Sequence, residues 1–259
     1  LLARWLRPEA WLVVTGGPSS ADEQPYFHEL ERAAQRRHWR LRLGVLAADE
    51  TRKPSVPELL AASEAVLLTS IQEGFGLPYL EAAAARRPLI ARRLSNIAPD
   101  LHRFGFRFPQ AYDEILIAPD LFDWNGEVVR QRELFRALLA TMPGSIRTQV
   151  ARPIVLALSR AQPVPFSRLT LTAQLEVLAH PPPASWRVCA PLNPFLSDWR
   201  QRAATQSLQT TRWPRTAAAW LSGRAYAQRF HASLNARPGR PGKNFSPLKL
   251  QADFVRREL

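Results

Sequence analysis

Ala65-Val66-Leu67-Leu68-Thr69-Ser70-Ile71-Gln72-Glu73-Gly74-Phe75-Gly76-Leu77-Pro78-Tyr79-Leu80-Glu81 runs from an apolar stretch through a glycine-bearing loop into a helical pattern. Residues 65–69 are too few for a helix of their own and lack polar alternation, which predicts a strand buried on both faces. From Leu77 to Arg86 the pattern is helical, with Pro78 in the first turn, where a missing N–H costs nothing. The same alternation extends in both directions. Upstream, Trp11-Leu-Val-Val-Thr15 predicts a strand ended by Gly16-Gly17-Pro18. Phe27, Leu30 and Ala34 are spaced for a helix over 22–38, with acids early and Arg32, Arg36 and Arg37 late, as the helix dipole favours. Leu41, Leu43 and Val45 alternate with Arg42 and Gly44 as a second strand, and Ser55 with Glu58 forms a capping box opening a helix through Ala62. Downstream, Pro88-Leu-Ile-Ala91 is a fourth strand. Strands alternating with amphipathic helices predict an α/β fold, a doubly wound, parallel, Rossmann-like sheet. After the apolar run Ile115–Ala118, a helix is expected over 125–141, with Val128, Phe135, Leu138 and Met142 on one stripe.

The chain has 259 residues, 46% hydrophobic and 22% charged, a composition that excludes wholesale disorder. Cys189 is the single cysteine, so an internal disulfide and a cysteine-rich zinc site are excluded and a reducing, cytoplasmic setting is expected. No apolar run reaches the roughly 18 residues of a membrane span. The sequence opens on Leu1 rather than on Met, and a preceding portion is expected. His28, His38, His102, His180 and His231 are scattered without metal-ligand spacing, so no metal site is expected.

The net charge of +13 is unevenly placed: residues 1–147 carry +1 and residues 148–259 carry +12. The change falls where prolines become frequent, among them Pro163, Pro165, Pro181, Pro182, Pro183, Pro191 and Pro194. Two regions are therefore expected, 1–147 as a ligand-binding domain and 148–259 as a basic, mostly helical or irregular extension. Three readings of the extension stand side by side. It packs on the first domain, with a helix over 217–234; it is the product of a shifted frame in GC-rich coding sequence; or its arginines, interleaved with Trp186, Trp199, Trp213, Trp220, Tyr226 and Phe230, contact nucleic acid or an anionic membrane surface.

Ligands of open parallel sheets bind beyond the carboxyl ends of the strands. The loop 70–76 occupies such an end. Gly74 and Gly76 let backbone approach a ligand, and the free amides at the start of the following helix favour an anion such as phosphate. Glu73 and Glu81 flank those amides as acceptors for hydroxyl groups. Phosphate and hydroxyls together describe a nucleotide sugar. Gly16-Gly17-Pro18 lacks the lysine and spacing of a Walker loop and is either a strand-ending turn or a second ligand-facing loop.

Glu73-Gly-Phe-Gly-Leu-Pro-Tyr-Leu-Glu81-Ala82 resembles the motif of two glutamates, seven residues apart, of the family-4 retaining glycosyltransferases, enzymes of the GT-B architecture with two Rossmann-like domains. Glu58 to Ser70 is similar to the helix and strand leading into that motif, and Trp11 to Gly17 to an earlier strand with a glycine turn. The resemblance covers roughly residues 1–120 and implies the C-terminal, donor-binding domain. It implies that Glu73 is catalytic, binding donor-sugar hydroxyls as charge develops. The amides of Gly74, Phe75, Gly76 and Leu77 would meet sugar and diphosphate, Glu81 would hold the ribose hydroxyls, and Gly16 and Gly17 would line the donor. It implies a nucleotide-diphosphate sugar as substrate, no cofactor and no metal. The first strand of the domain and an N-terminal acceptor domain would precede Leu1. Ser95-Asn96-Ile97-Ala98 stands where many members carry a Gly-Gly turn.

Overall fold

Four consecutive buried residues, Leu89-Ile90-Ala91-Arg92, make the central strand of the best-formed sheet in the computed structural model, which describes residues 1–18, 20–46, 53–217 and 222–235. Trp220, named above, lies outside the described residues, as does part of the helix expected over 217–234.

From the first strand to the strand at Leu89–Arg92 the elements follow the expected order; an opening helix, and a helix and strand after Arg92, add to it. Helix α1 (Leu2–Leu6) leads to β1 (Leu12–Val13), α2 (Gln24–Arg36), β2 (Leu41–Arg42), α3 (Val56–Ala62) and β3 (Val66–Leu68). Then come α4 (Leu77–Ala84), β4 (Leu89–Arg92), α5 (Ala98–Arg103) and β5 (Gln110–Tyr112). The Ser55 hydroxyl accepts from the Glu58 amide while the Glu58 carboxylate accepts from the Ser55 amide, closing the capping box of α3. Every pairing among these five strands is parallel, which makes the region a mixed α/β, Rossmann-like half.

The strands do not form one sheet. β1 pairs with β2 and β3-β4-β5 form a second sheet, with Leu67 opposite Ile90 and Ala91 opposite Ala111. The strand expected over 11–15 is reduced to Leu12–Val13, which among the described residues pairs with β2 alone, and Trp11, Val13 and Val14 are exposed. β5 escapes the sequence pattern because it begins on polar Gln110 directly after Pro109.

Past β5, the run Ile115–Ala118 contains β6 (Leu116–Ile117), which pairs antiparallel with β7 (Val164–Pro165). Between them lie α6 (Trp124–Thr141) and α7 (Gly144–Arg147). Helices α8 (Leu171–Ala179), α9 (Pro182–Cys189), α10 (Phe195–Ala204) and α11 (Gly223–Asn235) follow.

Two hydrophobic cores result. One gathers Leu68, Tyr79, Ala82, Leu89, Ala91, Leu101, Phe106 and Phe108 under the three-stranded sheet. The other joins Leu2, Trp5 and Leu6 of α1 and Ile117 of β6 to Val164, Val177, Cys189, Leu196 and Trp199. It crosses residue 147. The Trp5 indole N–H donates to Ser185 Oγ at 3.0 Å and its ring meets Trp186 edge-on at 6.0 Å. Asn193 ties α10's approach to β6, donating from Nδ2 to the Leu116 carbonyl and accepting the Leu116 amide at Oδ1, both at 2.8 Å. Residues 209–217 then return to the first sheet: Gln110 Nε2 donates to the Gln209 carbonyl at 2.8 Å, and Trp213 packs edge-on against Phe106 at 5.2 Å.

Candidate functional site

Residues 69–76 leave the carboxyl end of β3 and turn into α4 at Gly76, which caps the helix with φ 68°. Two demands fall on that position. The left-handed backbone excludes most side chains, and a Cβ there would sit 2.5 Å from Ile97 Cγ2. Only glycine meets both, so the close packing of loop 70–76 on Ile97 is written into the sequence.

Two further contacts hold the turn. Asn96 Nδ2 donates to the Glu73 carbonyl oxygen at 2.9 Å, joining the loop after β3 to the loop after β4. The Tyr79 hydroxyl donates to the Arg92 carbonyl, and its ring lies edge-on to Phe108 at 4.7 Å. Burial pushes the Tyr79 phenol above its ordinary pKa; the Leu94 backbone lowers it, the Glu73 charge raises it and Arg93 lowers it. Glu73 and Arg93 thus both act electrostatically on one buried hydroxyl. Arg93 itself pairs with Asp113 at 2.7 Å.

The candidate residues separate into two groups. Glu73 is half-buried, Gly74 is exposed with open space where a Cβ would be, and Gly76 is buried. Phe75 is 86% exposed and Leu77 is 56% exposed, so neither belongs to a core. Glu81 is exposed on α4. The chain therefore gathers a half-buried carboxylate, the exposed Gly74 backbone and two exposed apolar side chains around the start of α4, where Pro78 carries no N–H and the Tyr79 amide donates to the Gly76 carbonyl at 3.1 Å. Gly16, exposed in open space, and half-buried Gly17 follow β1 in the other sheet. The described hydrogen bond on the Glu73 backbone comes from Asn96 and not from that loop.

Sequence reasoning left out Asn96, Tyr79 and Ile97 as parts of this turn. The signal for Asn96 was its place at the carboxyl end of the next parallel strand, where such loops converge. Nothing local marks Tyr79 or Ile97 as more than core residues.

A cavity of about 610 Å³ lies elsewhere, between the two parallel sheets and lined also by α1. None of Glu73, Gly74, Gly76 or Glu81 lines it. Among the described residues no three His, Cys, Asp or Glu side chains form a group able to hold a metal ion, and no helix is long and apolar enough to cross a membrane.

Residues 1–106 match the family model described as glycosyl transferases group 1. That span holds both parallel-sheet loops and the whole of the Glu73–Glu81 turn. The match, which covers less than half of the chain, supports glycosyl transfer in general and the GT-B class of glycosyltransferase. No curated protein and no solved structure gives a match.

Proposed function

We propose that this chain is the donor-binding half of a family-4 type, retaining glycosyltransferase, acting on a nucleotide-diphosphate sugar and on an acceptor held by a separate N-terminal domain. The observation that carries the reading is the turn from β3 into α4, where Gly76 and Asn96 hold the Glu73 backbone beside the start of the helix that carries Glu81.

The roles follow from the chemistry of the donor. Glu81, exposed on α4, accepts hydrogen bonds from the ribose hydroxyls. The amides from Gly74 to Leu77, with the helix dipole behind them, offset the negative charge of the diphosphate. Glu73 accepts from hydroxyls of the transferred sugar and steadies the positive charge that grows on its anomeric carbon. The bond from that carbon to the diphosphate oxygen breaks, the bond to the acceptor oxygen forms on the same face, and the acceptor proton passes to the departing phosphate. The sugar keeps its anomeric configuration, with no protein nucleophile and no metal. A cytoplasmic location accords with the supply of nucleotide sugars.

The test is transfer by the complete enzyme from UDP-, GDP- and ADP-sugars with EDTA present, the product anomer read by NMR. Activity with retention is expected; strict dependence on added magnesium or manganese, or an inverted product, contradicts the reading.

One observation favours a second role. On α11, Tyr226 and Phe230 are 68% and 55% exposed and stack at 6.1 Å, on a helix that also carries Arg224. This face suits contact with an anionic membrane surface. Sedimentation of the protein with phosphatidylserine vesicles, lost in Tyr226→Ser/Phe230→Ser, supports it; equal sedimentation of both forms refutes it.

A further inference from the structure

Helix α4 ends in a Schellman turn, in which the Arg86 amide donates to the Ala83 carbonyl at 3.2 Å and the Arg87 amide to the Ala82 carbonyl at 2.9 Å. The residue that closes such a turn takes a left-handed backbone, and Arg86 has φ 52°. Glycine adopts that conformation freely, whereas a side chain there is strained. Turn geometry alone therefore does not account for an arginine. Its neighbour Arg87 has a structural task, donating to the Ala61 carbonyl and so holding α4 to α3. Arg86 is exposed, and no described residue pairs with it.

Arg86 lines an open cavity of about 560 Å³ together with Ala84, Thr210, Arg212 and Trp213. That volume falls in the range of small-ligand pockets, roughly 300–1,000 Å³. The wall contributed by residues 210–213 is fixed. Thr210 bridges Pro88 ahead of β4, the Thr211 hydroxyl donates to the Arg107 carbonyl at 3.0 Å, and the Thr216 hydroxyl donates to the Phe104 carbonyl at 3.0 Å. Arg212 is exposed and, like Arg86, has no partner among the described residues.

Charge selects the ligand. Among the described residues lining the cavity there is no carboxylate. The end of α4 offers about half a negative charge against two guanidiniums, which leaves positive charge in surplus. Guanidinium forks match phosphate oxygens with paired N–H groups, and the Thr210 hydroxyl adds a donor. Exposed Trp213, steadied edge-on by Phe106, supplies an apolar wall for the carbon skeleton that carries the phosphate.

We propose that this cavity is a binding site for a phosphate monoester, with the phosphate between Arg86 and Arg212 and the carbon skeleton of the ester against Trp213. None of Glu73, Gly74, Gly76 or Glu81 lines it, and the proposal does not rest on the roles given to them.

The phosphate comes from a soluble ester or from a lipid headgroup, and glycerol 3-phosphate and phosphatidic acid vesicles present one group in these two forms. Binding to the 259-residue chain is read by phosphorus NMR for the first and by sedimentation for the second. Arg86→Gly and Arg212→Gln are each expected to weaken binding by at least about 10-fold, the loss of a charge-assisted hydrogen bond. Glu81→Ala is expected not to weaken it. Binding of the soluble ester assigns the site to a free metabolite; binding of the vesicles alone, lost in the same two variants, assigns it to a headgroup. Because glycine relaxes the backbone at this position, Arg86→Gly is expected to keep or raise the urea midpoint while it loses the ligand. A lowered midpoint overturns the proposal, since the arginine would then serve the end of α4. So does the absence of binding in both forms, or binding by both variants equal to that of the wild type. A single-stranded DNA oligomer held at least about 100-fold more tightly than the ester through the same arginines also overturns it, in favour of a polyanion surface.

Discussion

The two hydrophobic cores differ in what they draw on. The core under β3-β4-β5 is built from residues 68–108, with Ala217 as its one late member, and its members Tyr79 and Ile97 pack against the Glu73–Glu81 turn. The core under β6-β7 takes Leu2, Trp5 and Leu6 from the start of the chain and Val155 through Ala203 from beyond residue 147. Net charge changes sharply near 147, yet the apolar contacts run straight across it. The lesson is that surface composition and core membership are separate properties. Arg187, Arg200 and Arg202 sit on helices α9 and α10, whose inward faces, Cys189, Leu196 and Trp199, are as apolar as those of the first region.

Trp5 is the sharpest place to break this comparison. It is 1% exposed, belongs to the first region by position and contacts the second at Ser185 and Trp186. Trp5→Ala removes a buried aromatic and leaves Ser185 without its indole donor, at a cost of about 3–5 kcal/mol. In urea, circular dichroism is expected to show the whole described fold melting earlier in one transition. A variant that lowers only a sub-transition of helices α8 to α10 would mean that the two regions fold apart.

Gly76 probes the other core. Gly76→Ala sets a Cβ 2.5 Å from Ile97 Cγ2 in a left-handed backbone, and a loss of about 1–3 kcal/mol is expected. The effect is confined to the loop. Hydrogen exchange is expected to rise through residues 73–80 and stay unchanged in α9 and α10, and a uniform rise would show that the cores are not separable. Ile97→Ala in the same chain relieves the contact and restores part of the loss.

The smallest effect concerns Tyr112, which joins both cores by position, at the end of β5 and against Trp199 at 6.3 Å. Burial raises its pKa from 10.0 to about 12, against a lowering by Arg92. Below pH 10 the phenol is neutral folded and unfolded, and no stability depends on it. Between pH 10 and 12 the unfolded chain releases the proton first, so stability falls as pH rises, by about 1 kcal/mol at pH 11. Urea midpoints of the wild type and Tyr112→Phe, measured from pH 9 to 11, are expected to diverge, with the Phe variant losing less.

The parallel strands β1 to β4 and the helices α2 to α4 between them were legible because their signals are local: a short apolar run, a capping box at Ser55 and Glu58, a proline in the first turn at Pro78. The division into two sheets was not legible, since strand pairing depends on neighbours far along the chain and Leu12–Val13 carries no mark of which edge is filled. β7 at Val164–Pro165 hides for a related reason: a proline is tolerated there because its lost donor falls on a two-stranded edge ribbon. At the site, Glu73, Gly74, Gly76 and Glu81 stood out by residue type and spacing. Asn96, 23 residues on, meets Glu73 only through the fold, and Ile97 explains Gly76 only once a Cβ is built in place.

Nucleoside diphosphate binding is the direct test of the claim that the turn from β3 into α4 is the donor site. Calorimetric titration of UDP, GDP and ADP into the wild-type chain and into Glu81→Ala, with fold checked by circular dichroism, reads that claim alone. The account predicts that at least one of the three binds the wild type and that Glu81→Ala weakens it by roughly 10–100-fold, the worth of a hydrogen bond to a charged group at about 1.5–3 kcal/mol. Equal affinity in the folded variant and the wild type, or no binding of any of the three, would contradict it.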